Sequence, residues 1–207
     1  AFRMAAPSLL VDLKRVPALD RIEIGAEGVS LGARVRWCDI ERHAGLAAAH
    51  PLLVKATRHI AHYQIRNRGT VGGSLALADP AAELPGVAVT CDAVLTLIRP
   101  DGARDVAAAD FFLGPMTTAL AADEILTAVR FPLWPVERRW AFQEFARRKG
   151  DFALAGIALH CDLDDQGRAR DTRIGVIGAS DRPHRLHAAR SEEHTSELQS
   201  QFRISYA

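Results

Sequence analysis

The stretch RNRGTVGGSLALADPAAELP, residues 66–85, gathers most of the residue types in this chain that could do chemistry. Gly72 and Gly73 stand side by side between the hydroxyls of Thr70 and Ser74. Arg66 and Arg68 precede them, and Asp79 and Glu83 follow. Without a Cβ, backbone amides at such a pair can approach a ligand closely or adopt positive φ. Successive amides in a turn form a concave site for anionic oxygen, and phosphate is its usual occupant. The spacing is not that of a P-loop, because no Gly-Lys-Ser/Thr follows, nor is it the dinucleotide pattern Gly-x-Gly-x-x-Gly. On residue types alone GTVGGS therefore keeps two readings, a plain glycine turn and a phosphate cradle.

No nucleophile–base pair accompanies the stretch. Cys38, Cys91 and Cys161 lie far apart, without the Cys-x-x-Cys pairs of zinc or iron–sulfur sites. His59 and His62 read as helix-surface side chains, and Asp79 as a helix N-cap rather than a ligand. The chain's 207 residues are 48% hydrophobic and 25% charged, enough for one large or two small cores. A formal net charge of +1 supplies no field to draw in nucleic acid or an anionic membrane. No apolar run approaches the roughly 18 residues of a membrane span, and AFRMAAPSLLVDL lacks the order of a signal peptide. These features predict a cytoplasmic protein with reduced thiols.

The elements that would position GTVGGS follow from periodicity and turn residues. From Ser8 to Ala33 short apolar runs are broken by Pro17, Gly25 and Gly28, which predicts strands joined by tight turns, with IEIGAEGVSLG as the hairpin. DIERHAGL and PLLVKATRHIAHYQI read as helices, the second running directly into the glycine pair. Asp79–Pro80 reads as N-cap and first residue of a short, partly buried helix through PAAELPGVAVTCDA. AVLTLI and ILTAVRFP read as strands, with PDG a turn after the first. Beyond PLWPVERR, the runs WAFQEFARR, FALAGIALHCDLD and ARDTRIGVIGA predict three more strands. The expected architecture is α+β, with units at 1–133 and 138–189.

At this point a resemblance becomes specific. HIAHYQIRNRGTVGGSLALADPAAELP resembles the second flavin-binding motif of the FAD, or medium, subunit of the molybdenum hydroxylases, the family of xanthine dehydrogenase and carbon monoxide dehydrogenase. FRMAAPSLLVDLKRVPAL, DFFLGPMTTALAADEIL and FARRKGDFALAGIAL resemble the same family in the same order, so the likeness spans nearly all of residues 2–183. It implies an FAD-binding domain of the vanillyl-alcohol-oxidase type, followed by part of an α+β C-terminal domain.

By this resemblance Thr70, Val71, Gly72, Gly73 and Ser74 lie against the FAD pyrophosphate, and Glu83 takes the place of a cofactor-binding aspartate. Ile60, Leu126 and Gln143 fall at further flavin-contact positions, Gln143 where some members have lysine. The family's first glycine-rich loop, Ala-Gly-Gly-x-Ser, lies upstream of the part resembling AFRMAAPSLL. The N-terminal lobe and half of the pyrophosphate cradle are thus expected to be absent, leaving a fragment that binds FAD weakly or not at all and is inactive by itself.

The implied role is electron transfer. Electrons would pass from the molybdopterin cofactor of a large molybdenum subunit, through the [2Fe-2S] clusters of a small iron–sulfur subunit, to FAD and on to NAD+ or another acceptor. A flavin supplies the redox chemistry while protein supplies position and electrostatics, which agrees with the lack of a catalytic triad. Two other readings stay open: a flavin-free scaffold subunit of the same complex, and a stand-alone flavin oxidase of the vanillyl-alcohol type.

The tail carries a resemblance of another kind. RSEEHTSELQS at 190–200 is identical to one reading frame of a common short-read sequencing adapter, and ISYA at 204–207 to its continuation. This implies that 190–207 are non-native and that His194, with the carboxylates beside it, forms no metal or catalytic cluster.

Overall fold

IEIGAEGVSLG folds as the hairpin its pattern predicts in a computed structural model that describes residues 8–187. Its strands are β1 (Ile22–Gly25) and β2 (Gly28–Gly32), with Ile22 opposite Leu31. The adapter-like tail lies outside the described residues. Upstream, the strand pattern expected from Ser8 makes only a 3-10 turn at Leu13–Arg15, and Leu9, Leu10 and Val11 are exposed. An apolar run becomes a strand only where a neighbour takes its backbone groups, and the ladder ends at β1.

Six helices follow: α1 (Trp37–Arg42), α2 (Leu46–Ala49), α3 (Pro51–Thr57), α4 (Tyr63–Arg66), α5 (Val71–Leu77) and α6 (Glu83–Thr90). His50 starts α3 by accepting the Leu53 amide at Nδ1, 3.2 Å away, with Pro51 as first helical residue. The helix expected to continue through HIAHYQI instead ends at Thr57. The chain reverses at Ala61 (φ 43°) and restarts as α4. Arg66 holds that break: Nη1 donates to the Ile60 and Ala61 carbonyls at 3.0 and 2.9 Å, and Nε pairs with Glu41 at 3.2 Å. Backbone groups left open by the helix end thus gain a side-chain donor.

Helix α6 also starts later than its sequence suggests. Asp79 accepts from the Ala81 amide in a tight turn, and Ala82 is the N-cap. Pro85 then falls in the first turn, where its missing N–H breaks no helical bond.

The remaining chain builds sheets. β3 (Val94–Arg99) and β4 (Gly102–Ala107) form a hairpin around PDG. α7 (Ala108–Phe111), the ribbon β5 (Phe112–Gly114) with β6 (Thr117–Thr118), and β7 (Ile125–Phe131) follow. An antiparallel sheet of order β1-β2-β7-β3-β4 results. β8 (Arg139–Phe145), β9 (Ala155–Leu163), β10 (Ala169–Ile177) and β11 (His184–Arg185) make a second antiparallel sheet of order β11-β10-β9-β8.

The two sheets meet through α6. All eight of its residues are buried, against α3 and α5 on one side and β9, β10 and β11 on the other. The approach is close enough that a Cβ on Gly86 would strike Ile177, and one on Gly175 would strike Thr90. One continuous apolar core draws residues from both sheets. The segment joining them belongs to that core: Trp134 is 6% exposed, its ring centroid 4.4 Å from that of His50 and 5.2 Å from that of His160. Arg138 lies over the same ring at 5.2 Å and pairs in bidentate fashion with Asp162 at 2.8 and 2.9 Å.

Candidate functional site

Thr70 is extended (φ −123°, ψ 155°), and its hydroxyl accepts the Gly73 amide at 3.1 Å, which makes it the N-cap of α5. GTVGGS is therefore a helix start rather than a turn, and neither glycine adopts positive φ. Close approach is what calls for glycine here. Gly72 donates to the Ala33 carbonyl at 2.7 Å, and a Cβ on it would sit 2.8 Å from that same oxygen. Val71 donates to Val35 at 2.9 Å. These two amides, expected from sequence to face an anion, are spent against the chain between β2 and α1. What a ligand meets is the Thr70 and Ser74 hydroxyls and the bare backbone at Gly73, whose own amide is already held by Thr70.

Those groups line a cleft of about 790 Å³. One wall, from the α3–α4 break to α5, presents Ile60, Arg68, Thr70, Gly73 and Ser74. Glu83 forms the floor, and the β8–β9 connection supplies the far wall through Arg147, Asp151 and Phe152. Of the residues picked from sequence, Ile60, Thr70, Gly73, Ser74 and Glu83 come together here. Val71 and Gly72 are buried behind them. Leu126 lies apart, 5% exposed within β7, where strand alternation turns it into the core. Gln143 lies apart too: on β8 the buried Phe142 and half-buried Glu144 mark the inner face, so Gln143, opposite Ile157, points outward.

Sequence reasoning missed the far wall. FARRKGDFALAG stood out only as part of the resemblance, because the turn that carries Arg147 and Phe152 across the cleft depends on how the two sheets pack. It missed Trp37 as well, whose indole backs Gly69 so closely that a Cβ there would lie 2.7 Å from Nε1.

Glu83 is 5% exposed, and its carboxyl is pushed up to about 7, first by burial and then by the neighbouring Glu144 and Asp79, against the pull of its own amide. Burial also raises Glu144, whose Oε2 has no partner. Arg68 and Arg147 are exposed at the mouth, so the cleft is acidic at its floor and cationic at its rim. Among the described residues no three His, Cys, Asp or Glu are grouped to hold a metal ion. No helix among them is long and apolar enough to cross a membrane.

Residues 1–134 match the family described as the FAD binding domain in molybdopterin dehydrogenase. The chain belongs to this family. After the FAD-binding domain, residues 140–196 match the CO dehydrogenase flavoprotein C-terminal domain, a match that runs past Ala189 into the adapter-like segment. Over 198 residues the chain is 42% identical to the nicotine 6-hydroxylase medium subunit of Paenarthrobacter nicotinovorans, covering 96% of this chain and 69% of that protein. It is 40% identical to subunit alpha of the 6-hydroxypseudooxynicotine dehydrogenase complex from the same organism, covering 86% and 60%.

Among solved structures, carbon monoxide dehydrogenase from Hydrogenophaga pseudoflava superposes with a TM-score of 0.86 at 34% identity, over 90% of this chain and 65% of that one. Quinoline 2-oxidoreductase from Pseudomonas putida 86 gives 0.84 at 40%, over 89% and 64%. The FAD-binding domain and its C-terminal partner thus span about two thirds of the length of these relatives.

The residues of the cleft fit FAD. Its volume lies in the usual range for cofactor sites, roughly 300–1,000 Å³. The glycine-opened start of α5 with two hydroxyls suits a diphosphate, a buried carboxyl suits sugar hydroxyls, and Ile60 and Phe152 offer apolar surface to a flat ring.

Proposed function

We propose that this chain is the flavin-binding part of the medium subunit of a molybdenum hydroxylase, with a fold of the vanillyl-alcohol-oxidase type. One observation carries the reading: the start of α5 and the start of α6 open into the same cleft, so Gly73, Ser74 and Glu83 face a single ligand. Thr70, Gly73 and Ser74 hold the FAD diphosphate, Glu83 accepts from sugar hydroxyls, and the β8–β9 connection shields the ligand from water. Bound FAD supplies the redox chemistry, taking up electrons and passing them to an acceptor. The implied partners are a [2Fe-2S] small subunit and a large subunit with the molybdopterin cofactor, in the cytoplasm, with NAD+ or another acceptor downstream.

The protein expressed from its complete gene is expected to purify with acid-releasable FAD and to lose it on Gly73→Asp, which brings negative charge to the diphosphate. Wild-type protein without flavin would overturn the reading. A flavin-free scaffold subunit is the second reading, favoured by the first-turn amides of α5 that are already spent within the protein. Co-purification with two partner subunits but no flavin selects it.

A further inference from the structure

The two walls of the cleft touch each other at one end, where both carry unusual backbone. Ala61, in the break between α3 and α4, stands at φ 43°, and Gly150, in the β8–β9 connection, at φ 88°. A residue other than glycine at positive φ is strained and persists where its surroundings hold it there. Gly150 seats directly on that break: a Cβ on it would lie 2.6 Å from the His62 ring and 3.0 Å from the Ala61 carbonyl oxygen. Arg66 grips the same oxygen, Nη1 donating to it at 2.9 Å and to the Ile60 carbonyl at 3.0 Å. Just ahead of the break the His59 ring packs on Phe142 of β8, with centroids 4.9 Å apart.

Arg68 lines the cleft and Arg66 does not. The Arg66 guanidinium is committed to two carbonyls and, through Nε, to Glu41 at 3.2 Å, with both side chains largely withdrawn from solvent. A cation so engaged holds protein rather than an anionic ligand. Beyond Gly150 the connection is fixed again at Ala153, whose carbonyl oxygen would lie 2.7 Å from a Cβ on Gly178. Asp151 and Phe152, which face the cleft, are strung between these two points.

We propose that Arg66, the Ala61 carbonyl and Gly150 form a clasp joining the two cleft walls, with Arg66 as the positioning residue that sets Ile60 on one wall and Phe152 on the other against the ligand. The role toward the ligand rests on the FAD reading above, whereas the clasp itself does not. Without the two hydrogen bonds from Arg66, Ala61 relaxes from its strained conformation. Gly150 then loses the surface it seats on, and Phe152 loses one of its two anchors.

The experiment uses protein from the complete gene and reads amide hydrogen exchange without ligand. In Arg66→Met, residues 60–62 and 146–153 are expected to exchange about tenfold faster, with the rest of the protein native. Arg66→Lys, which keeps a donor, should restore part of the protection. Arg66 touches nothing in 146–153, so a purely local role would leave that segment unchanged, and that result overturns the clasp. Should Arg66→Met fail to fold, Gly150→Ala enters from the opposite wall. It should speed exchange in both segments, and adding His62→Ala, which removes the ring the new methyl strikes, should restore part of it. Additive effects of those two substitutions overturn the contact. The second arm is FAD release, expected to be about tenfold faster in Arg66→Met, with the bound flavin more open to quenching by iodide. Release at the wild-type rate despite a loosened clasp overturns the positioning role. If the wild type binds no FAD, the functional reading fails together with that role, and the exchange data still decide the clasp.

Discussion

At the scale of single residues, the two glycines of GTVGGS have opposite duties. A methyl on Gly72 would press on the Ala33 backbone, 2.8 Å from its oxygen and 3.0 Å from its Cα, and backbone cannot step aside. Gly72→Ala is expected to destabilise the fold by about 1–3 kcal/mol, read by urea unfolding. A methyl on Gly73 meets only the Thr70 hydroxyl at 2.9 Å, a side-chain atom that can shift but that caps α5. In Gly73→Ala the helix-propensity gain and the strained cap offset each other, so stability should change by no more than about 1 kcal/mol, while FAD binding should weaken at least tenfold, measured by quenching of flavin fluorescence. The sequence showed that this pair matters, but it could not assign the duties, because they depend on which strand lies behind which glycine. Glu83 adds a pH dependence of its own. Its folded value of about 7 lies above the ordinary 4.5, so the folded state binds the extra proton. Stability from this group is full below pH 4.5 and declines as pH rises toward 7. Glu83→Gln should remove that decline from a series of thermal unfolding curves.

At the scale of elements, hairpins and the strands that have a pairing neighbour were legible, whereas the run from Ser8 and the helix ends were not. IEIGAEGVSLG, AVLTLI with PDG, and ILTAVRFP carry alternation and turn residues that decide the structure locally. The break between α3 and α4 is set by Arg66 reaching back to two carbonyls, and the start of α6 by an Asp79 turn, neither of which leaves a periodic trace. The packing of α6 on the second sheet is equally silent in the sequence, yet it buries His160, whose Nε2 meets the Thr90 carbonyl at 3.2 Å. Burial lowers His160 to about 4 and His50 to about 3, with Arg138 adding to both. The unfolded chain therefore takes up protons below the ordinary 6.5 that the folded one refuses, and stability is lost as pH falls from 6.5 toward 4. His160→Gln should reduce that acid loss in the same unfolding series. The trend runs against that of Glu83 over an overlapping window, so the single variants separate what the wild type partly cancels.

At the scale of the whole molecule, PLWPVERR looks like a linker because prolines and charges usually mark exposed chain. Its Trp134 instead fills the seam between the sheets, held between His50 and His160 with Arg138 above it. A shared core predicts a single cooperative transition, with tryptophan fluorescence and far-ultraviolet dichroism coinciding. Trp134→Ala is expected to cost about 3–5 kcal/mol and to lower both signals together; two separate transitions in the wild type would contradict a shared core. The seam also gives α6 a mechanical property. One end of the helix is Glu83, in the cleft. Just past the other lies Asp92, gripped by Arg173 and Arg185 from the second sheet. A buried rod of eight residues, about 12 Å long, cannot bend to absorb a push. A ligand settling on Glu83, as proposed above, would lean on a strut whose far end is the β10–β11 edge.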